Sequence, residues 1–116
     1  MFPEHPKESS VPSFSQAAEI VGQLGEELAF VAPNQDTGLL PINRLVMDLE
    51  ELAEMDVPPA LSVGLQVARA WLDQILDGAG KFTEETIRNF NQWHGWMTAV
   101  LQAWQMGTTM LAWPPQ

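Results

Sequence analysis

The sequence predicts an all-α fold, an antiparallel four-helix bundle with a flexible N-terminal arm. In four successive segments the apolar residues recur at spacings of three and four, which is the pattern of an amphipathic helix. Proline- and glycine-rich turns separate these segments, and none of them alternates apolar and polar residues as a half-buried strand would. Short connections favour antiparallel neighbours, so we expect the four helices to close around one core.

The chain divides by composition into three parts. Its 116 residues, 46% of them hydrophobic, fit one domain with a single core. We expect a flexible arm over residues 1–12, where three prolines and mixed charge leave too little apolar surface to offset ordering of the backbone. The bundle is predicted over residues 13–106. Residues 107–116 form an apolar tail, which either packs on the bundle or belongs to an interface or a junction.

The first helix is predicted from Ser13 to the turn before Pro33. Ser13 and Gln16 resemble a capping box. The helix interior contains Gly22 and Gly25, each of which weakens a helix by about 1 kcal/mol relative to alanine, and close packing against a neighbour would explain them. Its apolar stripe consists of Ala17, Ile20, Val21, Leu24, Leu28 and Val31.

The second helix follows the turn PNQDTG and presents an acidic face. Pro41 suits its first turn, where the missing N–H is harmless. Its apolar stripe consists of Leu39, Ile42, Leu45, Val46, Leu49, Leu52 and Ala53. The opposite face carries Asp48, Glu50, Glu51 and Glu54. We interpret this as a solvated face, with a docking surface for a basic partner as the alternative, so Glu50, Glu51 and Glu54 are interface candidates.

The third and fourth helices have clear boundary signals. Pro58 and Pro59 open the third helix, and Gly78 ends it. Its inward residues are Leu61, Leu65, Ala68, Leu72 and Ile75. Thr83 is expected to cap the fourth helix, and the two glutamates that follow complement the positive end of the helix dipole. Gly107 is expected near the end of this helix.

Charge and composition exclude several classes of function. Fifteen acidic residues against five basic ones give a net charge of −10, which opposes binding to nucleic acid and to anionic membranes. The absence of cysteine removes disulfides, thiolate zinc sites and thiol nucleophiles. The start of the chain lacks the apolar core of a signal peptide, and no apolar run approaches the length of a membrane span. We therefore expect a cytoplasmic protein.

Residues suited to catalysis are few. The histidines are His5, in the arm, and His94, in the fourth helix. No HExxH motif, phosphate-binding glycine loop or acidic calcium loop occurs. A carboxylate-bridged metal site needs inward glutamates with Glu-x-x-His pairs on facing helices, and Glu50, Glu51 and Glu54 have no such histidine. We predict that the chain is not an enzyme and has no metal site and no cofactor.

The fourth helix is apolar around more than half of its circumference. One stripe consists of Phe90, His94, Met97, Leu101 and Trp104, and a second consists of Trp93, Trp96, Val100 and Ala103. Such a helix is either central in a core or covered on its second face by a partner. Neighbouring positions lie about 100° apart around the axis, so one of Trp93, Trp96 and Trp104 should lie at the edge of the core. All three are interface candidates.

His94 has a structural and a functional interpretation. In the first, its ring is partly buried beside Phe90 and Met97, with a nitrogen satisfied by the backbone or by water. In the second, it is a phosphoryl acceptor, presented from the middle of a helix to the catalytic aspartate of a partner protein. Gly95 is a poor helix former, and its small size would allow the close approach that this second interpretation needs.

In helix count, helix length and acidic character, the segment from Ser13 to Gln105 resembles the histidine phosphotransfer modules of bacterial two-component signalling, especially those of chemotaxis-type histidine kinases. The resemblance implies a bundle that passes a phosphoryl group between a kinase and a response regulator without a cofactor. In that family the acceptor lies on the second helix and is followed by an apolar residue, a lysine and a glycine at the second, third and fourth positions. Here His94 lies on the fourth helix and is followed by GWMT.

These observations leave three functions open. The first is a non-catalytic signalling module that retains the bundle in order to dock a response regulator or a kinase domain, or to dimerise. The second is phosphoryl transfer through His94. The third is a generic acidic domain that binds another protein through its tryptophan-rich surface. The absence of the family's lysine and glycine favours docking over transfer.

Overall fold

The computed structural model describes residues 5–54 and 57–107, with side chains from residue 14 onward. Within these residues the chain forms four α-helices and no β-strand. The helices are α1 (His5–Leu28), α2 (Leu39–Leu52), α3 (Pro59–Asp77) and α4 (Glu84–Met106). The prediction of an all-α fold with four helices is confirmed. The predicted tail lies, after Gly107, outside the described residues.

The first helix begins earlier than the sequence pattern indicates. α1 starts at His5, so Ser13 lies inside the helix and is not its cap. Pro6 falls in the first turn, where its missing N–H would have no intrahelical acceptor and its fixed φ suits a helix. Residues 1–4 lie outside the described part of the chain, and the flexibility of the arm stays a prediction.

The core is built from the predicted apolar stripes. α3 begins at Pro59 and ends before Gly78, and α4 begins directly after Thr83, as the boundary signals predict. Both stripes of α4 contribute buried side chains. The helical members of the buried core cluster are Ala17, Val21, Leu24 and Leu28 of α1, Leu39, Ile42, Val46, Leu49 and Leu52 of α2, Leu61, Leu65, Ala68, Leu72 and Ile75 of α3, and Phe90, Trp93, Trp96, Met97, Val100 and Leu101 of α4.

The helices pack in a ring in the order α1, α2, α3, α4, with α4 returning to α1. Within the described residues, the diagonal pairs of helices make no close backbone contact. Between α1 and α4, the rings of Phe14 and Trp104 meet edge to face with centroids 5.3 Å apart. Between α3 and α4, the rings of Trp71 and Phe90 meet in the same way at 5.1 Å.

One end of the bundle is closed by hydrogen bonds between two loops. The backbone N–H of Asn34 donates to the oxygen of Phe82 at 2.7 Å, and the N–H of Phe82 donates to the oxygen of Gln35 at 2.9 Å. Phe82 itself is fully buried. Thr83 then caps α4, since its hydroxyl accepts from the N–H of Thr86 at 3.0 Å. The loop before α2 and the start of α4 are thus held together.

Candidate functional site around His94

His94 lies in the middle of α4 and connects it to α1. Its Nε2 atom is 2.8 Å from the backbone oxygen of Val21. A carbonyl oxygen only accepts hydrogen bonds, so Nε2 carries the proton and donates it. The side chain is partly buried. This geometry matches the structural interpretation, a partly buried histidine with a nitrogen satisfied by the backbone.

The contact depends on a glycine in α1. A Cβ atom at Gly25 would lie 2.8 Å from Nε2 of His94 and 2.9 Å from its Cε1. Both distances are shorter than van der Waals contact, so a side chain at this position would displace the imidazole. Gly25 weakens α1 intrinsically, and the close approach of His94 explains its presence. The close packing predicted for this glycine is therefore present.

The hydrogen bond limits what His94 can do as a nucleophile. An imidazole nitrogen attacks phosphorus through a free lone pair, and a ring nitrogen that carries a proton has none. Nε2 is in that state while it donates to Val21. Phosphoryl transfer would therefore require Nδ1, or a break in the contact between α4 and α1. The role of His94 as an acceptor stays a prediction.

A groove between α1 and α4 opens beside His94. Its volume is about 280 Å³. Its walls include Phe14, Ala18 and Gly22 from α1 and Thr98 and Leu101 from α4. His94 thus borders an open and largely apolar groove, although its Nε2 atom is engaged.

A second close contact joins α4 to α3. The indole Nε1 of Trp93 donates to the backbone oxygen of Gly64 at 2.8 Å, in the buried interior. A Cβ atom at Gly64 would lie 2.5 Å from Sδ of Met97 and 2.7 Å from Cζ3 of Trp96. Glycine is therefore required where these two side chains cross α3. Trp93 thus holds α4 against α3, and the next residue, His94, holds α4 against α1.

The three candidate tryptophans differ in burial. Trp93 is 0% exposed and Trp96 is 6% exposed, so neither offers a surface to a partner in this structure. The interface prediction is corrected for these two residues, because α3 already covers the stripe that they share. Trp104 is partly exposed at the edge of the core, where it meets Phe14. For Trp104 the interface role stays a prediction.

The acidic candidates are Glu50 and Glu51 on α2 and Glu54 just after it, and they also differ in exposure. Glu50 accepts two hydrogen bonds from Arg69 of α3, from Nε at 3.1 Å and from Nη2 at 3.0 Å. Nη1 of the same guanidinium donates to Asn43 at 2.8 Å. This fork joins α2 to α3 and compensates the charge of Glu50, which is therefore poorly suited to a partner. Glu51 and Glu54 are exposed and stay interface candidates.

Arg69 is the residue that sequence reasoning missed. Its hydrogen bond with Glu50 raises the pKa of Arg69 above the ordinary value, burial lowers it, and attraction to Glu50 and Asp73 raises it further. The sequence does indicate one partner of Arg69 within α3. Asp73 lies four residues later, and side chains at this spacing face each other on a helix. The pairing with Glu50 was not predictable, because it depends on the register between two helices.

One side of α2 exposes apolar area. Leu40 is 70% exposed and Met47 is 49% exposed. They are seven residues apart, so they lie on the same side of the helix. Arg44 follows Leu40 by four residues, and Glu51 follows Met47 by four residues, so they lie on this side as well. Both are exposed. We call these four residues the α2 strip.

Neither a metal-ligating cluster nor a membrane-spanning helix occurs in the described part of the chain. No cluster of three or more His, Asp or Glu side chains there is placed to hold a metal ion. None of the helices there combines the length and the apolar character needed to cross a membrane. Comparison of the chain with protein-family models, with curated proteins and with solved structures gave no match.

Proposed function

We propose that the chain is a non-catalytic bacterial signalling module, a helical bundle resembling histidine phosphotransfer modules, which docks a two-component partner. The observation that carries the proposal is the hydrogen bond from Nε2 of His94 to Val21. It commits the ring of the candidate acceptor to holding α4 against α1. In this proposal a partner binds to the surface of the bundle, and His94 takes no part in chemistry.

The proposal includes an antiparallel arrangement of the helices. Phe14, early in the described part of α1, meets Trp104, late in α4, and Val21 further along α1 meets His94. Residue numbers therefore rise along one helix as they fall along the other. The contacts between α3 and α4 have the same opposite order, since Gly64 meets Trp93 whereas Trp71, later in α3, meets Phe90, earlier in α4. This is the arrangement expected from short connections.

The docking surface that we propose is the α2 strip. In the family that the chain resembles, the second helix carries the acceptor and so faces the response regulator. Here the second helix exposes Leu40 and Met47, with the charged residues Arg44 and Glu51 on the same side. A receiver domain would fit this strip by covering the two apolar side chains and by placing a basic group near Glu51.

Titration of the isotope-labelled chain with a panel of bacterial receiver domains, followed by NMR, tests the docking function. We expect amide shifts concentrated on α2, and binding about tenfold weaker for Met47→Asp. Val63→Asp on α3 is the matched control, because Val63 is similarly exposed at 41% and should bind as the unmodified chain does. Equal affinities for the two variants would remove α2 as the surface. Absence of binding across the panel would count against the two-component assignment.

Phosphoryl transfer through His94 is the second candidate, favoured by one observation, the open groove that the ring borders. Incubation with labelled acetyl phosphate, and separately with a phosphorylated response regulator, tests it. We expect no acid-labile label under conditions that label an ordinary phosphotransfer domain. A label that disappears in His94→Gln would make phosphoryl transfer the leading function.

Dimerisation is the other form of the first candidate, and a generic acidic interaction domain is the third candidate. The α2 strip supports it as well, because exposed apolar side chains suit any protein partner, including a second copy. Sedimentation over a range of concentrations separates these cases. Self-association that Met47→Asp abolishes would favour a dimer, and a monomer at all concentrations would favour a different partner.

A further inference from the structure

A cavity between α3 and α4 is larger than the groove beside His94. It lies at the end of the bundle where hydrogen bonds join the two loops. Its volume is about 440 Å³, within the range of roughly 300–1,000 Å³ that is typical of small-molecule sites. Its lining includes Trp71, Gln74 and Ile75 of α3, Lys81 of the loop that follows, and Glu85 and Asn89 of α4.

One part of the lining is apolar and is held in place by packing. Ile75 is buried, and the indole of Trp71 is partly buried. The ring of Trp71 meets the ring of Phe90 edge to face, with centroids 5.1 Å apart. A packed aromatic ring beside a buried aliphatic side chain gives the cavity a fixed apolar surface, on which an aliphatic or aromatic group of a ligand can pack.

The other part of the lining carries polar side chains that no described residue engages. Lys81 and Glu85 have opposite charges, and the amides of Gln74 and Asn89 lie beside the same cavity. Within the described part of the chain, none of these four side chains makes a hydrogen bond or an ion pair. A cation, an anion and two amides are thus open to a ligand at one place.

The loop that carries Lys81 is fixed on both sides of this residue. Gly80 adopts the left-handed conformation, with φ of 73°, and its N–H donates to the oxygen of Ile75 at 2.9 Å. Phe82 is fully buried, and its N–H donates to the oxygen of Gln35. The backbone at Lys81 is therefore positioned before a ligand binds, which lowers the cost of ordering the site.

We propose that this cavity binds a free α-amino acid with an apolar side chain. At neutral pH such a molecule carries a carboxylate and an ammonium group on the same carbon. The carboxylate pairs with Lys81 and the ammonium group with Glu85, while the side chain packs on Trp71 and Ile75. A ligand with one charge would leave Lys81 or Glu85 unpaired, and a neutral sugar would leave both unpaired. This inference does not depend on the docking of a two-component partner.

Titration of the isotope-labelled full chain with L-leucine, followed by NMR, tests the site. We expect amide shifts at residues 81–89 and a shift of the indole N–H signal of Trp71, which is assigned through its loss in Trp71→Phe. Isoamylamine and isocaproate each lack one of the two charges of leucine and should bind about tenfold more weakly. Glycine should also bind about tenfold more weakly, because it has no side chain to pack on Trp71.

Substitution of charged side chains identifies the groups that bind. Lys81→Gln and Glu85→Gln each remove one partner of the zwitterion, and each should weaken leucine binding by about tenfold. Glu84→Gln and Arg88→Gln are the matched controls, because they remove charges from exposed residues of α4 that do not line the cavity. Both controls should bind leucine as the unmodified chain does.

Three results would overturn the proposal. The first is the absence of shifts at residues 81–89 with leucine, isoleucine and phenylalanine alike. The second is binding of glucose, isoamylamine or isocaproate as tight as that of leucine, since the pair of opposite charges would then not recognise the ligand. The third is equal affinity for leucine in Lys81→Gln, Glu85→Gln and the two control variants.

Discussion

The imidazole of His94 occupies the space that a side chain at Gly25 would need. The donor Nε2 would lie 2.8 Å from a Cβ atom at that position, and it is also 2.8 Å from its acceptor, the oxygen of Val21. The hydrogen bond and the glycine are therefore parts of one contact. Neither residue can be interpreted without the other, and a substitution at position 25 should act through His94.

Gly25→Ala should destabilise the chain, although alanine improves helix propensity by about 1 kcal/mol. The added methyl displaces the ring and breaks the hydrogen bond to Val21, and the combined loss should exceed the gain by roughly 1–2 kcal/mol. Urea unfolding measures the difference. Gly95→Ala is the control, because it meets open space and should stabilise by up to about 1 kcal/mol. If both variants proved more stable, His94 would be mobile and its contact with α1 unimportant.

The helices were largely predictable from the sequence because their signals are local. Apolar spacing located the buried faces, and the hydroxyl of Thr83 forms the cap that its position predicts. The start of α1 was misplaced because Pro6 and the serines near it suggest an irregular arm, whereas a proline in the first turn is compatible with a helix.

The contacts of the candidate site could not be predicted in the same way. Periodicity placed His94 on an apolar stripe, but only the register of α4 against α1 shows that its partner is Val21. α4 packs against both α1 and α3, and this explains why both of its stripes contribute buried side chains within the described residues. The fork between Arg69 and Glu50 depends on the register of α3 against α2. Such registers result from packing of the whole core.

The tryptophans of α4 should differ strongly in their contributions to stability. Trp93→Ala removes a fully buried ring and its hydrogen bond to Gly64, so it should cost about 3–5 kcal/mol. Trp104→Ala should cost less, roughly 1–2 kcal/mol, because the ring is partly exposed. Denaturant unfolding of both variants, together with their oligomeric states, provides the comparison. Equal losses would mean that Trp104 belongs to the core and is not an edge residue open to a partner.

The fork between Glu50 and Arg69 should contribute modestly. The two side chains are 35% and 27% exposed, so solvent screens their attraction. A double-mutant cycle with Glu50→Gln and Arg69→Gln should give a coupling of about 0.5–1 kcal/mol. Glu51→Gln, on the exposed side of α2, is the control and should change the free energy of unfolding by less than about 0.5 kcal/mol. A coupling near zero would show that the fork positions the helices without stabilising them.

Asn34 holds the loop between α1 and α2 in a left-handed conformation, with φ of 64°. Its N–H donates to the oxygen of Phe82, so the conformation of this residue sets the link between the two loops. Asn34→Ala should destabilise by about 1 kcal/mol, because a Cβ atom disfavours this region of φ and asparagine tolerates it better. Asn34→Val should be worse, since a β-branched side chain is more crowded there. Thermal unfolding of the variants provides the test.

Asn34→Gly separates the backbone from the side chain. Glycine adopts positive φ freely, so this variant should be about as stable as the unmodified chain. The order of unfolding midpoints should therefore place glycine and asparagine above alanine, and alanine above valine. If glycine were as harmful as alanine, the amide side chain of Asn34 would be the stabilising group. The hydrogen bonds between the loops would then not depend on the left-handed backbone that the structure shows.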